Sequence, residues 1–357
     1  MSKVLFIGNI LEQSGWGNYT RNMIRSLNTV GGLDVVARPV VLGKAGKVDK
    51  DIEDTIRKDS KNSDFIIQCV LPHHMMYQGG VKNFGLAMVE TQNHLYNEWP
   101  QYLNLMDEVW LPNNEPIDGV IKPQKTIPPP VNIVKYYEEY PKINIENLEG
   151  RYKYYTICEY NKRKNITGLI IAFYRAFNYD SMTALIIKVT AHGSNPLEFK
   201  KKMENELLSI QAQTGLRTEF PPVIFLTDYY SEDQINGLHK YCDCYVAPSF
   251  GEAINYPLLD ACGFCNVTIS SDVSGPRYMK ESGLPIVLVD GMKQPCFGAD
   301  QIFPGYNSLS EDWFITSLDS LAKSMIEANG TKANFCNMEH FSYESVGEAM
   351  IERMFGE

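Results

Sequence analysis

The sequence has little that would predict a membrane span, a disulfide framework or a secretory leader. No window reaches the ~18 consecutive apolar residues that a transmembrane helix needs. Eight cysteines among 357 residues are too few for a disulfide scaffold, so a reduced, cytoplasmic protein is expected. The first residues carry one lysine before the run 4–7, which is too short for the core of a signal peptide and predicts a buried strand instead.

An excess of positive charge is also missing. The chain has 33 basic and 43 acidic residues and a formal net charge of −10. Residues up to Gly150 carry −3 of this and the remainder carries −7. Neither half has the basic excess expected of a protein held on DNA phosphates or on an anionic lipid surface, although a local basic patch would escape this count.

Short apolar runs alternate with segments of helical period along the whole chain. Several runs are apolar at successive positions, as expected for parallel strands covered on both faces. Asn165–Phe177 predicts a helix with one apolar stripe, and Ser231 with Gln234 predicts a capping box at the start of another. The alternation predicts two doubly wound α/β units. The predicted strands are 4–7, 35–41, 65–70, 86–89, 109–111, 154–158, 185–189, 223–226, 245–247, 267–269 and 286–289.

A boundary separates the two units. Pro128–Pro130 stops regular structure, and a polar stretch rich in tyrosine and glutamate follows it to Gly150. We therefore place an N-terminal domain at 1–150, with a linker at about 128–150, and a second domain at 151–340. The last segment, 341–357, predicts a helix that either caps the second domain or crosses back to the first.

The segment 247–263 carries the strongest chemical pattern. A predicted strand ends there, a loop holds Glu252, and Pro257 stands at a first helical position, which places Asp260 in the first helical turn. Free N–H groups and the helix dipole make such a helix start an anion-binding corner. Two flanking carboxylates suit a ligand with hydroxyl groups on both sides of a phosphate, as in a nucleotide sugar. The alternative is an ordinary strand–helix corner with a capping acid.

This segment resembles the Glu-x7-Glu signature of retaining glycosyltransferases with the GT-B fold, with Asp260 in place of the second glutamate. The resemblance covers most of the chain and implies two Rossmann-like domains that face each other across a cleft. It implies that Glu252 binds the donor sugar and that Asp260 binds the nucleotide ribose. Amides that meet the sugar and phosphate would come from Ala253, Ile254 and Asn255, although the family usually has glycine at the first and third of these.

A second segment, 156–165, resembles the family's loop that binds the donor diphosphate. Lys164 matches the family's lysine, and it stands just before a helix start, where a positive charge is unfavourable unless an anion lies between them. The family's earlier arginine is missing, since its place falls near Cys158 or Glu159. Arg163 could substitute for it, or the Lys-Arg-Lys run could simply be solvated. His192 follows another strand end and is assigned no chemistry.

In the N-terminal domain, Gly15 and Gly17 follow the first strand and resemble the glycine loop that closes over the donor in this family. The alternative is a tight turn that needs glycine for its own geometry. The spacing does not match a dinucleotide-binding fingerprint. Glu90 follows the strand 86–89, where related enzymes often have a histidine that touches donor sugar or acceptor. We count Glu90 with Glu252 and Lys164 as candidate catalytic residues.

Metal binding is not expected. Cys242, Cys244, Cys262 and Cys265 could offer four thiolates to zinc, but a core strand and a buried corner are expected at these positions, and buried thiols behave as small apolar groups. The adjacent pair His73 and His74 would point apart. The composition around Asp49-Lys50-Asp51 predicts a charged surface helix, so these carboxylates are not expected to hold a divalent ion beside a diphosphate.

The resemblance thus implies a metal-independent, retaining transferase that needs no cofactor beyond its nucleotide diphosphate sugar. Its acceptor would be a glycan, a lipid-linked or protein-borne group, or a small molecule. Two other functions stay open. One is a nucleotide-sugar epimerase or a phosphorylase on the same scaffold, and the other is a non-catalytic nucleotide-sugar-binding module.

Overall fold

A computed structural model describes residues 1–356 except 43–44, 95–96, 142, 192, 214–218 and 297–310. The described chain divides into two compact units. The first consists of Met1–Lys135, Ile302–Glu311 and Met338–Glu357, and the second consists of Tyr136–Gln301 and Asp312–Asn337.

The first unit is built on a six-stranded parallel sheet of order β2-β1-β3-β4-β5-β6. The order reverses between β1 and β3, so their carboxyl ends form a topological switch point. The strands are β1 (Ser2–Gly8), β2 (Leu33–Pro39), β3 (Phe65–Cys69), β4 (Lys82–Leu86), β5 (Glu108–Leu111) and β6 (Gln124–Thr126), and the helices are α1 (Gly15–Val30), α2 (Lys50–Arg57) and α3 (Trp99–Leu103).

The second unit contains a second six-stranded parallel sheet, of order β12-β11-β10-β7-β8-β9. Its switch point lies between β7 and β10. The strands are β7 (Tyr152–Glu159), β8 (Thr183–Thr190), β9 (Val223–Leu226), β10 (Cys244–Ala247), β11 (Val267–Ser271) and β12 (Ile286–Val289), joined by an antiparallel pair, β13 (Gly291–Pro295) and β14 (Asp312–Thr316). The helices are α4 (Ile166–Ala176), α5 (Pro196–Gln213), α6 (Glu232–Tyr241), α7 (Tyr256–Gly263), α8 (Ser274–Glu281) and α9 (Leu318–Ala328).

The predicted class of two doubly wound α/β domains is confirmed. The capping box of α6 is also confirmed, since Ser231 and Gln234 each bond the other's backbone N–H. One strand position was wrong, because β4 ends at Leu86, where the prediction began. Ala87 and Val89 are apolar because they pack in a buried cluster with Trp99 and Leu103 after the strand has ended. Strands β6 and β13 are short and polar and contain no apolar run, so they were not among the predicted strands.

The stretch after the prolines belongs to the second unit from Tyr136 onward. The rings of Tyr136 and Tyr140 contact Phe264 edge to face, with centroids 5.1 and 5.9 Å apart. The N-terminal unit therefore ends near Lys135 rather than at Gly150, because aromatic packing attaches the predicted linker to the domain that follows it.

The C-terminal helix α10 (Tyr343–Phe355) packs against α1 in the first unit. Gly347 makes this approach possible, since a Cβ there would lie 2.3 Å from the Ser26 carbonyl oxygen. Arg353 donates to both carboxylate oxygens of Glu108 on β5, at 2.9 and 2.7 Å. Helix packing and a bidentate ion pair thus join the end of the chain to the N-terminal sheet.

No helix among the described residues is long and apolar enough to cross a membrane. All eight cysteines are free thiols.

Candidate functional site

The strongest cluster of charged side chains lies at the carboxyl edge of the second sheet. It is formed by the loop 160–165 after β7 and the loop 248–255 after β10, the two strands that flank the switch point. Ligands of open α/β sheets bind at such a point, because the loops diverge there and leave a crevice. The topology thus brings together two segments that are about 90 residues apart in the sequence.

Glu252 lies at the centre of this cluster. Its Oε1 is 2.5 Å from Nζ of Lys164, and its Oε2 is 3.1 Å from Nη1 of Arg163. The carboxylate side chain is 5% exposed, and those of Arg163 and Lys164 are 12% and 17% exposed. Two cations and one carboxylate leave the group with a net positive charge, as a diphosphate site requires.

The ionisation of Glu252 is set by these neighbours. Burial alone would raise the pKa of its carboxyl. The charges of Lys164 and Arg163 and a hydrogen bond from Ser249 outweigh burial, so the pKa is lowered and Glu252 is ionised at neutral pH.

The backbone holds the two loops together. Phe250 N–H donates to the Arg163 carbonyl at 2.8 Å, and Asn165 Nδ2 donates to the Pro248 carbonyl at 3.1 Å. Asn165 adopts a left-handed conformation, with φ of 52°, which turns the chain sharply into α4. Lys162 is exposed, whereas Arg163 and Lys164 turn toward Glu252, so the basic run is not uniformly solvated.

The start of α7 faces the same cluster. Asn255 caps the helix by accepting from Leu258 N–H at 3.1 Å, and Pro257 follows in the first turn. Among the described residues, the N–H groups of Ile254 and Asn255 have no hydrogen-bond acceptor. Two such N–H groups before a helix start can hold an anionic oxygen.

Helix α8 contacts the backbone of Glu252 and Ala253 and fixes their position. Gly275 N–H donates to the Glu252 carbonyl at 2.9 Å, and a Cβ at Gly275 would lie 2.8 Å from the Ala253 carbonyl oxygen. The close contact between this loop and α8 thus requires a glycine in the helix, at Gly275, rather than in the loop itself. The sequence did not predict this role.

Asp260 is the fifth residue of α7, so its predicted place in the first helical turn is wrong. It is 9% exposed, and its Oδ1 accepts from the hydroxyl of Tyr136 at 2.9 Å. A Cβ at Gly263 would lie 2.4 Å from the Tyr136 ring, so this corner of α7 is shaped around the tyrosine. Burial and the nearby carboxylate raise the pKa of Tyr136, which keeps it a hydrogen-bond donor to Asp260.

The two glycines of the N-terminal loop differ in their surroundings. A Cβ at Gly17 would lie 2.0 Å from the Glu12 carbonyl oxygen, so this glycine serves the packing of its own loop. Gly15 has no atom within 4 Å of its ideal Cβ position. Arg21 fixes the loop from within by donating to the carbonyls of Ile10 and Glu12 at 2.8 and 2.7 Å.

Glu90 is half-buried in the loop that follows β4 in the first unit. The next residue anchors this loop, since Thr91 Oγ1 donates to Glu311 at 2.7 Å and lies 3.0 Å from His94 Nε2. Because the hydroxyl proton goes to Glu311, His94 donates from Nε2. Burial lowers the pKa of His94, against the opposing effect of Glu311. No local sequence pattern marks this trio, because Glu311 is 220 positions from Thr91.

Three of the four cysteines of the zinc hypothesis, Cys242, Cys244 and Cys262, are buried, and Cys265 is half-buried. Burial raises the pKa of the Cys242 and Cys244 thiols well above their usual range, which keeps them protonated. No group of three or more His, Cys, Asp or Glu side chains suited to a metal ion is found in the described part of the chain. His192 lies outside the described residues.

No protein-family model matches the sequence, and no curated protein matches it. Solved structures do match its fold. An α,α-trehalose-phosphate synthase (UDP-forming) from Burkholderia xenovorans, solved with glucose-6-phosphate, is 8% identical over 100% of both chains, with a TM-score of 0.64. The N-terminal domain of a Candida albicans trehalose-6-phosphate phosphatase is 10% identical over 100% of this chain and 97% of its own, with a TM-score of 0.65.

A third structure, HepE from Anabaena with UDP and glucose, is 11% identical over 100% of both chains, with a TM-score of 0.57. At these identities the likeness shows the fold. The chain therefore has the GT-B architecture of two Rossmann-like domains, as its strand orders also indicate.

Proposed function

We propose that the chain is a glycosyltransferase that moves a sugar from a nucleoside diphosphate sugar to an acceptor hydroxyl, with retention of configuration. The observation that carries the proposal is the contact of Glu252 with both Lys164 and Arg163 beside the start of α7. A carboxylate can accept a hydrogen bond from a hexose hydroxyl. Cations and N–H groups without an acceptor in the protein can bind a diphosphate. The cluster lies in the second unit, and the GT-B likeness of the whole chain supports our assignment of that unit as the nucleotide-binding half of the fold.

Each group has a separate task in this reaction. Lys164 and Arg163 neutralise the diphosphate as the bond to the sugar breaks and negative charge grows on the leaving oxygen. The N–H groups of Ile254 and Asn255 add fixed dipoles to the same region. Glu252 accepts hydrogen bonds from sugar hydroxyls and orients the anomeric carbon. Because the positive charge is supplied by side chains, we propose a metal-independent reaction without a further cofactor.

The acceptor hydroxyl attacks the anomeric carbon from the face that the diphosphate leaves and gives its proton to the departing phosphate oxygen, so that configuration is retained without a protein nucleophile. Asp260, held by Tyr136, is the proposed partner of the ribose. Glu90 and Gly15 keep the roles that the resemblance implies as predictions for the N-terminal unit, whereas Gly17 is needed for the packing of its own loop.

UDP sugars are the first donors to test, because two of the similar structures are named for UDP: the synthase is described as UDP-forming, and HepE contains UDP and glucose. Glucose-6-phosphate, which is bound in the structure of the synthase, is one candidate acceptor among soluble sugars. Donor turnover should be measured with UDP-, GDP-, ADP- and TDP-sugars, with and without a panel of sugar acceptors.

Lys164→Met is the decisive variant. Loss of one cation from the leaving-group site should lower kcat by about 100-fold or more, while the exposed Lys162→Met should leave it within about twofold. A wild type that binds nucleotide sugars but never turns them over would favour the binding-module alternative. Release of the sugar or its epimerisation without an acceptor would favour the alternative of another enzyme on this scaffold.

A further inference from the structure

Three of the eight cysteines meet at the C-terminal end of α7. Cys262 lies in the last turn of the helix, Cys265 follows the helix, and Cys336 approaches from the segment between α9 and α10. The thiol of Cys336 donates to the Cys262 carbonyl at 3.2 Å, and the thiol of Cys265 lies 4.0 Å from the Gly263 carbonyl oxygen. The thiols of Cys265 and Cys336 are therefore held beside consecutive carbonyl oxygens of one helix end.

Cys265 stands at a position where helices usually have glycine. The end of α7 is a Schellman motif, in which Cys265 N–H donates to the Cys262 carbonyl at 3.0 Å and Asn266 N–H donates to the Ala261 carbonyl at 2.9 Å. The motif needs a left-handed residue at Cys265, whose φ is 60°. Because a Cβ is disfavoured in this conformation, glycine is the common residue here. A cysteine at such a position points to a use for its side chain.

Cys265 and Cys336 are also the accessible members of this group. Both are half-buried, whereas Cys262 is buried and its Sγ lies 3.7 Å from the hydroxyl of Thr268 on β11. Burial, together with the nearby Cys265, raises the pKa of the Cys336 thiol to about 11. The protein therefore does not stabilise the thiolate of Cys336, and a dithiol whose thiolates are not stabilised is oxidised more readily at equilibrium.

The same helix end contacts the chain where it enters the second unit and where it leaves that unit for α10. Tyr136 begins the unit and packs on Gly263, where a Cβ would lie 2.4 Å from its ring. Cys336 comes one residue before the chain leaves the unit. The rings of Tyr137 and Phe335 join the two segments, with centroids 6.4 Å apart. A covalent bond at Cys336 would therefore fix the outgoing segment to the end of α7, beside the incoming one.

We propose that Cys265 and Cys336 form a reversible disulfide in the folded protein, which makes this helix end a redox-sensitive modification site. The inference goes beyond the proposed function and does not depend on sugar transfer. The oxidant is a low-molecular-weight disulfide such as oxidised glutathione, which exchanges with protein thiols through a mixed disulfide.

The exchange takes place in two steps. The thiolate of Cys265 attacks one sulfur of oxidised glutathione, forms a mixed disulfide and releases the first glutathione thiolate. Cys336 then loses its proton to water and attacks Sγ of Cys265, which breaks the mixed disulfide and releases the second glutathione thiolate. Two protein thiols are oxidised to one disulfide, the small disulfide is reduced to two thiols, and the two protons that the protein loses are taken up by the glutathione thiolates.

The test compares wild type with Cys336→Ser, Cys265→Gly and Cys158→Ser, each incubated as the folded protein with oxidised glutathione or with dithiothreitol. In Cys336→Ser the hydroxyl can keep the hydrogen bond to the Cys262 carbonyl, so this variant removes only the sulfur. Cys158 is the matched control, because it is the remaining half-buried cysteine and its thiol lies among the charged groups of the candidate site.

Peptides from oxidised wild type, digested without reduction, should contain a cross-link between Cys265 and Cys336 that dithiothreitol removes. Oxidation should raise the melting temperature of wild type and of Cys158→Ser by about 5 °C, because the bond closes a loop of about 70 residues. It should leave the melting temperature of Cys336→Ser unchanged. In dithiothreitol, Cys265→Gly should melt at or above wild type, because glycine is better suited to the left-handed backbone.

Several results would overturn the proposal. One is oxidised wild type without the cross-link, or with a cross-link between another pair such as Cys262 and Cys265. Another is a glutathione adduct on Cys265 that Cys336 never displaces. A rise in melting temperature that Cys336→Ser shares with wild type would assign the effect to another thiol. A reduced Cys265→Gly protein that melts below wild type would show that the side chain is needed for packing, and would contradict the proposed role.

Discussion

Replacing Glu252 with glutamine is the sharpest test of the charged cluster. Glutamine has nearly the same shape, but it carries no charge and its amide nitrogen would face the N–H groups of either Arg163 or Lys164. Both cations are largely buried, so their desolvation would no longer be offset. Removing one partner of a buried ion pair costs about 3–5 kcal/mol, and the residual exposure of the two cations favours the lower end, about 3 kcal/mol.

A loss of about 3 kcal/mol corresponds to a fall of about 6–12 °C in the melting temperature of a unit of this size. The pH dependence has a definite sign. The pKa of Glu252 is lowered in the folded protein, so its stabilising effect is fully present above the unfolded value of about 4.3. It is lost as the pH falls through the lower folded value. The difference between wild type and Glu252→Gln should therefore be constant from pH 6 to 8 and shrink below about pH 4.

Binding and transfer should respond in opposite directions. Glu252→Gln frees Lys164 and Arg163, so pyrophosphate should raise its melting temperature more than that of wild type, whereas sugar transfer should fall by about 100-fold or more because the sugar is no longer oriented. Glu108→Gln is the matched control, since Glu108 is a buried carboxylate paired with Arg353 in the other unit. It should lower stability without changing the response to pyrophosphate. A Glu252→Gln protein that melts within about 1 °C of wild type and transfers sugar normally would refute this reasoning.

Three further substitutions test the positions around these groups. Gly17→Ala should destabilise the first unit by about 2 kcal/mol or more, because its Cβ would lie 2.0 Å from the Glu12 carbonyl oxygen, and thermal unfolding would detect this. Gly15→Ala has open space at its Cβ and should melt like wild type, so any rise in KM for the donor would come from contact with ligand. Tyr136→Phe removes the hydrogen bond to Asp260 and should cost about 1–2 kcal/mol. If Asp260 binds the ribose, the same variant should also raise the donor KM, and an unchanged KM would count against that role.

The sequence was sufficient for the sheets and for the main loop of the site. Parallel strands that are buried on both faces are apolar at successive positions, which is why β1, β8 and β10 were recognised. The loop after β10 was recognised because Glu252 and Asp260 stand at a characteristic spacing.

The groups that the sequence did not reveal depend on contacts between distant segments. Tyr136 lies 124 positions from its partner Asp260, and no local pattern marks such a pair. Gly275 is required by carbonyl groups on a neighbouring loop rather than by its own backbone, so its role is visible only after the loops are packed.

The packing of α10 on α1 has a consequence for synthesis. The first unit contains residues from both ends of the sequence, and about 200 residues are translated between Lys135 and Met338. At a rate of about 5–20 residues per second, roughly 10–40 s pass before α10 emerges to cover its face of α1. During that interval the surface that α10 will cover, with Ser26 and Val30 at its centre, is exposed to other nascent chains and to chaperones. Synthesis of the N-terminal unit thus starts before that of the second unit and ends after it.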